Sequence, residues 1–250
     1  VIEQLVFLCI AGFLAAFVDA IAGGGGLISL PALMISGVSP HYALGTNKFA
    51  SSTGSFTSSL RYIKSGATNT DLLKKLIPFT ILGSIIGVKT VLNINENILN
   101  ILVLVLIVAV GIYTIRSKSL GSENTFEGLT DKNIKLGIIL AFSLGFYDGF
   151  FGPGTGTFLM FGLMKIYGFD FLNSTGNTKV LNFTSNITSL IMFAINGQIL
   201  YKIGIPFAIS MILGAQLGSK LAISKGVKLI KPIFITMSLG VAVKMLYQMF

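Results

Sequence analysis

The chain has 250 residues, 53% of them hydrophobic and only 11% charged, with a mean hydropathy of +0.84. That composition excludes an ordinary soluble domain, which carries about twice as much charge, and points to an integral membrane protein. The net charge of +9, from 18 Lys and Arg against 9 Asp and Glu, would suggest nucleic acid in a soluble chain; here it is assigned to cytoplasmic loop cations, and nucleic acid is excluded as a partner.

The first apolar run covers residues 2–21 and predicts a membrane-spanning helix. It opens Val1-Ile2-Glu3, without a basic leader, so it reads as a retained span rather than a cleaved signal peptide. The run ends at Asp19 and is followed by Gly23, Gly24, Gly25 and Gly26, which break the helix. Residues 27–36 make a segment too short to cross as an ordinary helix. Residues 42–63 form a third stretch crowded with Ser, Thr and Gly, and two plain spans follow at 72–92 and 98–115. None of these runs alternates apolar and polar, as a transmembrane strand does, so the expected class is all-α.

Residues 116–135 are the one extended polar stretch, read as a solvent-exposed linker. The pattern then recurs. A span at 134–151 ends in Asp148 and a Gly152-Pro153-Gly154-Thr155-Gly156 break. A short segment at 157–167 follows, then a polar-rich span at 175–195 and spans at 203–223 and 229–250. Gly45-Thr46-Asn47-Lys48 matches Gly176-Asn177-Thr178-Lys179, and Gly83, Gly87 and Lys89 match Gly214, Gly218 and Lys220 at constant spacing. We therefore divide the chain into a first repeat (1–116), a polar linker (117–133) and a second repeat (134–250), joined in one integrated domain.

Loop charge predicts how the repeats are oriented. Arg61, Lys64, Lys74 and Lys75 surround the loop after the first polar span, whereas the matching loop of the second half carries only Lys202. The last loop of the second half carries Lys220, Lys225, Lys228 and Lys231, against Lys89 in the first. The positive-inside rule then puts equivalent loops on opposite faces. The expectation is two inverted repeats, each with about four full transmembrane helices plus one short broken or re-entrant helix, and both termini outside.

The chemistry concentrates at the breaks. Gly24, Gly25 and Gly26 in the first half, and Gly154 and Thr155 in the second, stand at the start of a short helix. Its free N–H groups and positive dipole end suit an anion. The bland alternative is glycines that only permit close packing. Lys48 and Lys179, with Thr46, Asn47, Asn177 and Thr178, offer an ammonium and further donors to the same anion. A lysine inside a membrane segment is costly and rarely faces lipid. Asp19 and Asp148 are read as coupling-ion sites or as ion-pair partners of the lysines. Duplicated broken helices with ionisable groups at the breaks mark the binding site of a secondary transporter. A single His41 and a single Cys9 cannot supply a typical metal set, so no cofactor is expected.

These residues carry a family resemblance. The run from Asp19 to Gly26, Pro31, and the segment Ala43-Leu44-Gly45-Thr46-Asn47-Lys48 resemble the sulfite exporter TauE/SafE family, also called the toluene sulfonate uptake permease family. The resemblance covers essentially the whole chain; Pro153 and Thr155 replace glycines in the second copy. It implies a bacterial inner-membrane carrier for a small sulfur-containing anion, such as sulfite, sulfoacetate or another organosulfonate. Import, export, a coupling H+ or Na+ and the oligomeric state stay open, as does an anion channel of the same fold. A membrane-embedded enzyme or a scaffold subunit fits the residues less well.

Overall fold

Buried polar side chains gather along two helices at the centre of this molecule, beside an apolar core, and large apolar side chains also cover much of its outside. The computed structural model describes residues 2–116 and 123–225, and among them nine α-helices occur. They are α1 (Ile2–Ala22), α2 (Gly26–Ile35), α3 (Pro40–Lys64), α4 (Thr70–Leu92), α5 (Glu96–Arg116), α6 (Asp131–Phe150), α7 (Thr155–Tyr167), α8 (Phe171–Ile195) and α9 (Tyr201–Lys225). The expected span at 229–250, Lys228 and Lys231, and positions 117–122 of the linker lie outside the described residues.

Helix starts follow local capping. The side chain of Asn69 accepts from the N–H of Leu72 at 3.0 Å and opens α4. Thr130 and Asn133 form a reciprocal capping box, so α6 begins at Asp131, earlier than the apolar run alone predicts. Asp170 accepts from the N–H of Asn173 at 2.8 Å and starts α8 at Phe171, likewise ahead of the expected 175. The linker is not wholly solvated: the Thr125 N–H donates to the carbonyl of Gly168 at 2.8 Å, and the Phe126 ring packs on Phe169.

Three helices, α1, α4 and α9, are long and apolar enough to cross a bilayer by length and composition. Their exposed faces are apolar: Ile2, Val6, Ile10 and Leu14 on α1, and Ile205, Ile209, Leu213 and Leu217 on α9. Such a surface is stable in lipid and not in water. The polar helices α3 and α8 bury Thr46, Asn47, Lys48, Ser52, Ser55, Thr178, Lys179, Ser185 and Asn186 at the centre instead.

α1 and α2 make a hairpin around the glycine break. Gly23 takes φ +82°, which side chains resist, and the chain reverses so that Gly25 lies against the carbonyl of Ala15. Farther on, the Gln4 amide reaches the carbonyl of Ser36. In α6–α7 the reversal falls at Gly152, φ +101°, and Gly154, φ +86°. The two breaks abut: Gly23 presses on Gly156, and Gly26 on Pro153.

The halves interlock by exchange. α1 packs along α9, and α4 along α6. A Cβ at Gly83 would lie 2.2 Å from the carbonyl oxygen of Phe142, and one at Gly87 2.1 Å from that of Phe146. Gly214 stands likewise 2.1 Å from the Phe13 oxygen, and Gly218 2.3 Å from that of Phe17. Small residues four apart let backbones touch, the usual basis of tight helix pairing in lipid. α3 and α8 run antiparallel at the centre. The Thr46 hydroxyl, at the start of α3, accepts from the N–H of Leu200, beyond the end of α8, at 3.0 Å. The Asn177 side chain, at the start of α8, accepts from the N–H of Asn69, beyond the end of α3, at 2.8 Å.

Candidate functional site

Each buried lysine pairs with an aspartate of the other half. Lys48 Nζ lies 2.8 Å from Asp148 Oδ2, and Lys179 Nζ lies 2.8 Å from Asp19 Oδ2. The placement has a local electrostatic reason. Asp19 and Asp148 occupy the last turns of α1 and α6, where the dipole and the unpaired carbonyls disfavour an anion. An ammonium offsets both: Lys179 also donates to the backbone carbonyl of Asp19. Each pair is held by further hydrogen bonds. Lys48 donates to Asn186 Oδ1 at 3.1 Å, and the Ser185 hydroxyl donates to Asp148 Oδ2. Asn186 donates to Asn182 Oδ1 at 2.7 Å and to the Ser55 hydroxyl at 3.3 Å, and Ser51 to Asn47 Oδ1 at 3.4 Å.

A small cavity opens where α3, α8 and both breaks converge. Lys48, Asn47, Ser51 and Ser55 of α3 line it, with Asp19, Asp148, Asn182, Asn186 and the glycines 23, 25, 26, 152 and 156. Gly25 and Gly26 place the N-terminus of α2 on its wall, so the ammonium of Lys48 and a positive helix end face one space. Its free volume is about 30 Å³, enough for a water or two. Ligand pockets start at roughly 300 Å³, so the cavity as it stands is too small for an organic anion.

Of the residues singled out from sequence, Gly25, Gly26, Asn47, Lys48, Asp19 and Asp148 meet at the cavity. Gly24, Thr46, Gly154, Thr155, Asn177, Thr178 and Lys179 are not on its wall. Thr46 and Asn177 hold the two loop N–H groups described above, Thr155 donates to the carbonyl of Gly152 at 2.7 Å, and Gly154 caps α7. The wall also contains Ala15, Ala16, Ser29 and Met211, which sequence reading passed over. Ala15 and Ala16 were accessible to it, because they precede Asp19 by one helical turn and share its face. Nothing in the local sequence marks Met211, which reaches the cavity from α9.

Among the described residues no group of three or more His, Cys, Asp or Glu is placed to hold a metal ion. Paired breaks, buried counter-ions and a central polar cavity are features of a membrane transport protein. The chain belongs to the sulfite exporter TauE/SafE family, whose model matches residues 8–245, and it is a multi-pass membrane transporter. It is 39% identical to a probable membrane transporter protein of Haemophilus influenzae, over 99% of this chain and 96% of that one. The probable membrane transporter protein ORF9 of a Sinorhizobium species is 36% identical, over 97% and 92% of the two chains. The probable membrane transporter protein YfcA of Escherichia coli K12 is 35% identical, over 94% and 87%. No solved structure gives a significant match.

Proposed function

We infer that the protein is a secondary transporter of a small sulfur-containing anion, an organosulfonate such as isethionate or sulfoacetate, or sulfite. It moves its substrate across the bacterial inner membrane by alternating access between two inverted halves, with both termini outside. The observation that carries the reading is the Lys48–Asp148 pair on the wall of a small polar cavity, beside the N-terminus of α2. Inversion is supported by the antiparallel course of α3 and α8, which are equivalent in the repeat, and by their reciprocal hydrogen bonds to Asn69 and Leu200. The sulfur anion is supported by the family's description as sulfite exporters and by the geometry of the donors.

A sulfonate presents three oxygens around one sulfur. The ammonium of Lys48, the amide of Asn47 and the N–H of Gly26 at the head of α2 can each take one. To do so the anion must displace Asp148 from Lys48, which requires the cavity to widen from its present volume. The displaced carboxylate then keeps Ser185 but loses its counter-charge. An uncompensated buried charge is strongly unfavourable, so a proton or Na+ entering with the anion would balance the site. Asp19 and Asp148 are the candidate carriers of that coupling.

The test is calorimetric titration of purified protein with isethionate, sulfite and a neutral alcohol of isethionate's size. Binding of the anions, its loss in Lys48→Met and no competition by the alcohol are expected. Equal competition by the alcohol, or undiminished anion binding by Lys48→Met, would overturn the assignment.

A further inference from the structure

The two Lys–Asp pairs are equivalent in the repeat but occupy different environments. Lys48 and Asn47 line the cavity; Lys179 and Thr178, their counterparts, do not. The asymmetry is systematic. Ala15, Ala16, Gly25 and Gly26 are on the wall, while their counterparts Leu144, Gly145, Gly154 and Thr155 are packed away from it. Gly145, for example, is pressed against the carbonyl of Thr80. The central residues come instead in matched pairs: Asp19 with Asp148, Gly23 with Gly152, Ser51 with Asn182, and Ser55 with Asn186.

So the floor of the cavity is symmetric and its flank is drawn mainly from the first half, with Gly156 and Met211 as the second half's additions. Two further observations mark the missing flank. Among the described residues the Thr178 hydroxyl is buried without a hydrogen-bond partner, at the position equivalent to the cavity-lining Asn47. A buried hydroxyl with nothing to bond is rare and calls for an explanation. Exposure also differs between the pairs. Asp19 keeps 23% of its side chain accessible, while Lys179, Lys48 and Asp148 stand at 0%, 2% and 3%.

We propose that Thr178 and Lys179 form a second anion-holding site, the counterpart of Asn47 and Lys48, used in the opposite-facing conformation. This inference rests on the carrier reading above. The sulfonate is handed from Lys48 to Lys179 as the flank built from α1, α2 and α3 closes and the one built from α6, α7 and α8 opens. The symmetric floor serves both states. In the second state the Thr178 hydroxyl gains the substrate as partner, and Asn47 and Lys48 are withdrawn in turn. The lysines act in sequence rather than clamping one anion together. Because an amide flanks one lysine and a hydroxyl the other, the two faces hold the anion with different affinities.

The test uses the full chain with Cys9→Ser, in membrane vesicles of both orientations, with a membrane-impermeant maleimide and isethionate as the probe. Asn47→Cys and Thr178→Cys should be labelled from opposite faces, each slowed several-fold by isethionate. Adding Lys179→Met should abolish protection at position 178 and preserve it at 47, and adding Lys48→Met should do the reverse. Labelling of both from one face, or loss of protection at both positions on Lys48→Met alone, would overturn the hand-over. Opposite-face labelling with no protection at either position would instead sink the sulfonate assignment while leaving the alternating flanks standing. Ala15→Cys and Leu144→Cys repeat the comparison at a second matched pair if a first variant fails to fold.

Discussion

A lysine 2% exposed inside a membrane protein is held there by its partners, and Lys48 has two: Asp148 at 2.8 Å and Asn186 at 3.1 Å. Removing one member of a buried pair leaves the other charged and unpaired, at a cost of about 3–5 kcal/mol, while removing both can be nearly neutral. Lys48→Met and Asp148→Asn should therefore each lower thermal stability in detergent. The double variant should recover most of the loss yet fail to bind isethionate. Additive losses in the double variant would mean that the two side chains do not stabilise one another. At this scale the sequence marked which ionisable side chains come together in the interior, because an ionisable group in an apolar run has few explanations. It was uninformative about who pairs with whom. Lys48 has a nearer aspartate in its own half, Asp19, yet the fold gives it Asp148, a choice made by the exchange of helices between halves. Thr46 and Asn177 illustrate the same limit: donors beside a lysine look alike whether they face an anion or, as here, a loop N–H.

Between elements, contact is set by glycine rather than by apolar bulk. Lipid is as apolar as leucine, so helices gain little from burying methyl groups against each other and much from close backbone approach. Gly83 and Gly87 bring α4 onto α6, and Gly214 and Gly218 bring α9 onto α1. Gly83→Ala puts a methyl carbon 2.2 Å from the carbonyl oxygen of Phe142, a contact that backbone cannot yield cheaply. We expect it to lower the melting temperature and the yield of folded protein clearly more than Gly54→Ala on α3, where the nearest atoms are 3.5 Å away. Equal effects in a thermal-unfolding assay would mean that α4 and α6 are farther apart than described. The matched glycine spacing was legible in the sequence and the pairing it serves was not: a periodic small face says that a helix is approached closely, not by which neighbour. Helix starts were legible only to a few residues, because Thr130 and Asp170 set them by hydrogen bonds that hydropathy does not register.

For the whole molecule the decisive question is direction. α3 and α8 match at a constant spacing at Gly45 and Gly176, Lys48 and Lys179, and Gly66 and Gly197, yet each begins where the other finishes. Two 25-residue helices laid antiparallel put those ends about 37 Å apart at 1.5 Å per residue, more than the hydrocarbon thickness. The charges agree, with Arg61, Lys64, Lys74 and Lys75 around one end and Lys202 alone at the other. A parallel duplication would leave both loops on one face and would place both positive clusters against the positive-inside rule in one half. It would also set Lys48 and Lys179 at the same depth with no reason to cross-pair. Ser65 and Asn196 are both exposed, which makes them suitable reporters. In a Cys9→Ser background, Ser65→Cys should react with an impermeant maleimide from the cytoplasmic face, and Asn196→Cys only from the opposite one. Reaction of both from the same side would overturn the proposed inversion, and with it the account of a site that opens first beside one lysine and then beside the other.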